Sequence, residues 1–101
     1  MPSNYRLNQN DPNPFRGETT IAYALPKRSF VTLDIVNPEG KLVRELIRKM
    51  QEPGEYDVCW GGEDDDGGRV CEGRYLCRMT ARAAGGGAFM QSRLMELEKE
   101  Y

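Results

Sequence analysis

The sequence predicts an all-β fold, a sandwich of six or seven short antiparallel strands. Three observations carry this expectation. Apolar and polar residues alternate over several stretches, clearest at Thr19–Leu25 and Ser29–Val36, and period two is the mark of a half-buried strand. Turn-forming segments drawn from 11 Gly and 6 Pro separate these stretches. The 101 residues suffice for one modest core.

The elements follow in order. Residues 1–17 read as an irregular arm, because Asn8, Asn10, Asp11, Pro12, Asn13 and Pro14 form turns and proline donates no ladder bond. Tyr5, Leu7 and Phe15 are the apolar points that pin the arm to a core. Thr19–Leu25 places Ile21, Tyr23 and Leu25 on one face. Ser29–Val36 sets Val31, Leu33 and Ile35 against Phe30, Thr32 and Asp34. Residues 37–40, Asn-Pro-Glu-Gly, are turn chemistry. In 41–50, Leu42, Val43, Leu46, Ile47 and Met50 fall at helical spacing, so the local pattern predicts a helix. Glu52-Pro53-Gly54 breaks the chain. Residues 55–60 put Tyr56, Val58 and Trp60 on one face, and 74–83 do the same with Tyr75, Cys77, Met79 and Ala81. Residues 84–88 form a flexible hairpin tip. In 88–98, Phe89, Gln91 and Arg93 oppose Met90, Ser92 and Leu94, a pattern that leaves the register open. The expected organisation is an arm at 1–17, a sandwich at 18–98 and an acidic tail at 99–101.

Composition narrows the function. The chain has no histidine, which removes Ser-His and Cys-His nucleophile pairs and the usual general base. No catalytic residue, cofactor or enzyme activity is expected. A net charge of −2 gives no field to draw nucleic acid or anionic lipid. The densest basic cluster, Arg44, Arg48 and Lys49, reads as a surface patch. No segment reaches the ~20 apolar residues that span a membrane, and the N-terminal stretch lacks the apolar region of a signal peptide. No nucleic-acid partner and no membrane insertion are therefore expected. Localisation stays open between a cytoplasmic or assembly-associated subunit and an envelope or extracellular fragment. Cys59, Cys71 and Cys77 fall one ligand short of a structural zinc site. They allow one disulfide plus a free thiol, or three reduced thiols, and the odd count favours the latter.

The stretch from Trp60 to Tyr75, WGGEDDDGGRVCEGRY, carries four consecutive acids, Glu63, Asp64, Asp65 and Asp66, between two glycine pairs. A calcium loop needs acids at fixed offsets, with glycine at position six and glutamate at position twelve. Placing Gly67 at position six puts glycine at positions one and twelve, and placing Gly68 there puts glycine at position five. Neither register works. A turn with solvated acids is the better reading, since Asp and Gly adopt left-handed turns readily. Adjacent acids on one loop also cannot face each other across a glycosidic bond.

Several of these residues resemble one bacterial family. Asn13-Pro14-Phe15 before Thr19-Thr20-Ile21, then Pro53-Gly54, then Trp60 with its Asp-rich turn, Gly68, Val70, Gly73 and Tyr75 occur in the order and spacing of the immunoglobulin-like domain of flagellar hook-capping proteins, the FlgD type. The same sandwich is similar to the C-terminal sorting domains of type IX secretion cargo. The resemblance spans about residues 5–98. It implies an immunoglobulin-like sandwich of about seven strands. It makes 41–47 a strand, against the local helical pattern, and turns the acidic stretch into the connection between two strands. It places Phe15, Ile21, Leu33, Trp60, Gly73 and Tyr75 in the structural core. Departures are Asp11 at an aromatic position, Arg16-Gly17 for Asn-Pro, Cys71 and Glu72 where small residues are usual, and Cys77 for a core aromatic. The functional expectation the resemblance implies is a non-catalytic structural or interaction module that docks onto a larger bacterial assembly, its partners being proteins in that larger complex. A secretion sorting domain is one alternative. A cation- or carbohydrate-binding sandwich, using residues 63–66 with exposed Tyr5 or Tyr101, is another.

Overall fold

The computed structural model describes residues 2–98, and every regular element in them is a strand. These are β1 (Arg6–Leu7), β2 (Thr19–Leu25), β3 (Ser29–Val36), β4 (Leu42–Gln51), β5 (Gly54–Trp60), β6 (Gly73–Ala83) and β7 (Ala88–Leu97). They form two antiparallel sheets, one of three strands in the order β1-β2-β5 and one of four in the order β4-β3-β6-β7. Two antiparallel sheets face to face are an immunoglobulin-like sandwich. The tail at 99–101, with Tyr101, lies outside the described residues.

Alternation fixes which faces meet. Ile21, Tyr23 and Leu25 of β2, Val31, Leu33 and Ile35 of β3, and Tyr75, Cys77, Met79 and Ala81 of β6 turn inward and are buried. Trp60, at the end of β5, is fully buried between Phe15 and Tyr75, with ring centroids 5.7 and 5.5 Å away. The Tyr75 hydroxyl donates to the Cys71 carbonyl four residues upstream at 2.5 Å, the backward bond of a tyrosine corner. In β7 the inward set continues through Met95 and Leu97, which settles a register that the sequence left open.

Residues 41–50 do not form a helix. β4 is a ten-residue strand paired with β3, and two bulges explain the misleading pattern. Leu33 pairs with Ile47 and Asp34 with Glu45, which leaves Leu46 extra. Ile35 pairs with Arg44 and Val36 with Leu42, which leaves Val43 extra. Each extra residue advances the alternation by one position. Val43, Leu46 and Ile47 therefore all pack against the core, and two bulges in one strand imitate a helical period.

The arm is more regular than its composition suggests. Leu7 of β1, the strand that pairs with β2, is fully buried. Asp11 and Thr20 exchange backbone bonds of 2.9 and 3.0 Å. The arm then crosses to the other sheet. The Phe15 amide donates to the Glu96 carbonyl, and its carbonyl accepts from the Glu98 amide, both at 2.9 Å. Phe15 thus staples the two sheets at one end.

Candidate functional site

The acidic stretch leaves the core at Trp60, whose indole N–H donates to the Glu63 carbonyl at 2.8 Å. Gly62 and Gly67 have φ of 79° and 87°, a backbone region that other residues enter at a cost. The Asp64 carboxylate then accepts from the amides of Asp66 and Gly68 at 3.0 and 2.9 Å. Its backbone N–H donates to the Gly68 carbonyl at 2.8 Å, closing the tip.

The expected turn is present, with Asp65 and Asp66 exposed, but its tip is not free. It lies along the outer edge of β4. The Asp65 amide donates to the Val43 carbonyl at 3.0 Å, and its carboxylate accepts from the Glu45 amide at 3.0 Å. Arg44 Nη1 reaches the Asp64 carbonyl at 3.0 Å. The contacts fall on the bulged residues, where ladder groups would otherwise lack partners. Arg44 Nε is buried without an acceptor among the described residues, and the structure offers no account of it.

The acids therefore serve the backbone. Asp64 and Asp65 spend oxygens on amide donors, while Asp66 is exposed at the tip. Among the described residues no three His, Cys, Asp or Glu side chains gather as a metal set. Tyr5 is not an exposed ligand platform either. It is half-buried, stacked on Phe89 with centroids 5.2 Å apart, and its hydroxyl pairs with the Ser29 hydroxyl at 2.8 Å.

Phe15, Ile21, Leu33, Trp60 and Tyr75 all lie in the buried apolar cluster. Gly73 does not. It opens β6 half-buried, with φ of 143°. The three cysteines are unpaired. Cys59 and Cys71 are exposed, whereas burial, aided by Asp34, pushes the Cys77 thiol up to about 12. Burial also raises the phenols of Tyr23 and Tyr75, so these groups stay neutral at physiological pH and fill the core.

A second region was missed in the sequence. Large apolar side chains that remain exposed among the described residues are Leu42, Met50, Leu76, Met90 and Leu94. The register puts all five on the outer face of the four-stranded sheet. Leu42, Val36, Leu76 and Leu94 form one cross-strand row. Val36 is buried although it stands outside the main cluster, so it is covered by its own row. The next row holds Asp34 and Arg78, an ion pair at 3.6 Å. Beyond it come two rows with Arg48, Thr32, Thr80 and Met90, then Met50, Phe30, Arg82 and Ala88. Arg48 lies over the Phe30 ring at 5.8 Å. Those last two rows contain no acid. The signal for this face was present in the alternation, but it needs the bulged register of β4 before Leu42 and Met50 fall into line.

The face is shallow. A depression of about 200 Å³ between Pro38, Arg74, Tyr75, Leu76 and Leu94 and one of about 140 Å³ near Phe89 and Met90 fall below the ~300 Å³ at which pockets begin to enclose a small molecule. The other outer face differs. On β5 it presents Glu55, Asp57 and Cys59 beside Thr20, Ala22 and Ala24 of β2, with no large apolar side chain.

A two-sheet sandwich with a tyrosine corner and a buried tryptophan between its sheets defines the class as immunoglobulin-like. Within that class the chain belongs to the FlgD Ig-like domain family, whose pattern it matches over residues 9–85, a family of structural, non-enzymatic proteins. No curated protein sequence matches it significantly. Among solved structures it is similar to FlgD from P. aeruginosa, with a TM-score of 0.62, 20% identity, and 77% of this chain covering 59% of that one. It is also similar to FlgD from Xanthomonas campestris, a structure described in terms of the hook capping essential for flagellar assembly, with a TM-score of 0.65, 21% identity, and coverage of 90% and 66%. CopC from Methylosinus trichosporium OB3b shares the fold at a TM-score of 0.59 and 13% identity, over 97% of both chains. The chain thus spans about three fifths to two thirds of the two FlgD structures.

Proposed function

We propose that the chain is a non-catalytic structural module that docks onto a partner protein in a larger bacterial assembly, through the outer face of its four-stranded sheet. One observation carries the reading: among the described residues the exposed large apolar side chains all fall on that face. Scattered exposed leucines need no explanation, but a contiguous row across four strands does. The occupant is a protein surface with an apolar centre against the Leu42–Leu76–Leu94 row. Its carboxylates would face Arg48 and Arg82, the two guanidinium groups in rows without an acid. Membership of a structural family supports the non-catalytic part, and the lack of histidine agrees with it.

The test is recovery of the tagged chain from its native cells after mild cross-linking, beside Leu94→Glu and Arg48→Glu/Arg82→Glu variants. One stoichiometric protein should accompany the wild type, be lost with Leu94→Glu, and be weakened by the double charge reversal. A chain that emerges alone, or a partner retained by Leu94→Glu, would sink the reading.

A further inference from the structure

An open strand edge is a row of unpaired donors and acceptors, and folded chains blunt such edges with charge, proline, bulges or cover. This molecule does so almost everywhere. β4 is doubly bulged and covered by the acidic loop. β5 carries Glu55 and Asp57 on its open flank. β1 has only two residues. The C-terminal half of β7 is covered by the arm, where Gln9 reaches the Leu94 carbonyl, Asn13 takes the Glu96 amide, and Phe15 takes both the Glu96 carbonyl and the Glu98 amide.

The N-terminal half of β7 is the exception: Tyr5 stacks on the inward Phe89 ring, but among the described residues nothing bonds to the strand's outer backbone there. Its pairing with β6 is unbroken, and Gly87 still bonds inward to Ala83. Since Glu96 points its backbone outward to the arm, alternation makes Ser92, Met90 and Ala88 point outward too. Residues 88–92 read Ala-Phe-Met-Gln-Ser, with no charge, no proline and no bulge. Met90 is 71% exposed.

We propose that this segment pairs antiparallel with the same segment of a second copy, across a two-fold axis at Met90, joining two four-stranded sheets into one of eight. The edge itself specifies an extended backbone as the occupant. The second copy fits for a reason of register. The open segment is bounded by Gln9 at Leu94 on one side and by the glycine tip at 85–87 on the other. Only an axis at Met90 pairs all of it. That axis sets Met90 against Met90 and Ala88 against Ser92, and places Arg93 opposite a glycine of the other tip, so no like charges meet. Three outward residues per strand give about six ladder bonds. The area is well below the ~1,600 Å² of a standard interface, so the dimer is a weak one that forms at high local concentration. The pairing rests on the backbone of the strand edge, whereas the docking face rests on side chains, Met90 belonging to both.

Sedimentation and site-specific cross-linking test it. Across protein concentrations up to about 1 mM, where weak self-association is read, the wild type should move from monomer to dimer. Met90→Pro removes an outward N–H without touching the β6 ladder, and should remain monomeric with an unchanged melting midpoint. In a Cys59→Ser/Cys71→Ser background, Met90→Cys should form a disulfide-linked dimer under mild oxidation, because residues opposed on a two-fold axis lie within disulfide reach. Ser92→Cys, two positions off the axis, should not. A wild type that stays monomeric throughout, a Met90→Pro variant that dimerises like the wild type, or equal linking at positions 90 and 92 would each overturn the proposal. Equal linking would specifically indicate parallel or unregistered contact.

Discussion

The four-stranded sheet ends in two edge strands, and the chain closes them by different means. At β4 a loop arriving from the other sheet folds over the strand and bonds to the residues around its bulges. At β7 the N-terminal arm lies alongside in parallel and, among the described residues, bonds to the strand's backbone edge only over the half nearer Phe15, while Tyr5 stacks on the inward ring of Phe89 farther along. Both covers are rooted in one aromatic cluster, since Trp60 starts the loop, Phe15 ends the arm and their rings touch. The difference teaches where the fold is complete and where it stays open to pairing. A bulged edge with acids across it cannot accept another strand, whereas an unbulged, uncharged half-edge can.

The largest expected effects come from removing either root. Trp60→Ala and Phe15→Ala each delete a fully buried aromatic, at a cost of about 3–5 kcal/mol, a large share of the ~5–15 kcal/mol total of a small domain. Urea unfolding gives the magnitude, and amide exchange separates the two. Trp60→Ala should raise exchange first at Asp65 and Glu45, and Phe15→Ala first at Glu96 and Glu98. Identical exchange patterns in both variants would show that the two covers open as one unit.

The sequence makes one part of this comparison legible and hides the other. β2, β3, β5 and β6 follow from alternation, because each is flanked by inward residues at strict period two. Trp60, Tyr75 and Phe15 stand out through the family pattern. β4 does not, because its bulges at Val43 and Leu46 scramble the period. The destination of the acidic loop is equally hidden. Asp65 meets Glu45 across 20 positions, and nothing local in Glu-Asp-Asp-Asp states which strand will receive it. β1 is too short to leave any periodic trace.

A middle-sized effect lies on β6, an inner strand of the same sheet that pairs with β3 and β7. Cys77 stands there, pushed by burial from its ordinary 9.0 up to about 12. Folding therefore favours the neutral thiol. Its contribution is fully present below pH 9.0 and is lost as pH rises toward 12, because the unfolded chain ionises first. Between pH 8 and pH 10.5 the wild type should lose about 2 kcal/mol more than Cys77→Val, which has no proton to release. Buried Tyr23 and Tyr75 drift in the same direction, but both proteins contain them, so they cancel in the difference. Equal pH slopes would mean that Cys77 meets solvent in the native state.

The smallest effect isolates the covers themselves, because each edge offers one amide to one side-chain oxygen. Asp65 takes the Glu45 amide on β4 at 3.0 Å, and Asn13 takes the Glu96 amide on β7 at 2.9 Å. Neither acceptor side chain is buried, and both amides can turn to water when the partner goes. Asp65→Ala and Asn13→Ala should therefore each cost only about 1 kcal/mol. The Asp65 bond is charge-assisted and should be the stronger of the two at low salt. Asp65→Asn keeps an acceptor oxygen and should recover most of the loss. Raising the salt should narrow the gap between Asp65→Ala and Asn13→Ala, since only the former removes a charge. Asp66→Asn, at the exposed tip beyond the β4 contact, should leave stability within the few tenths of a kcal/mol typical of surface changes. If Asp66→Asn matched Asp65→Ala, the loop would be held by its overall charge and not by the Glu45 amide, and the contrast between the two edges would be electrostatic instead of geometric.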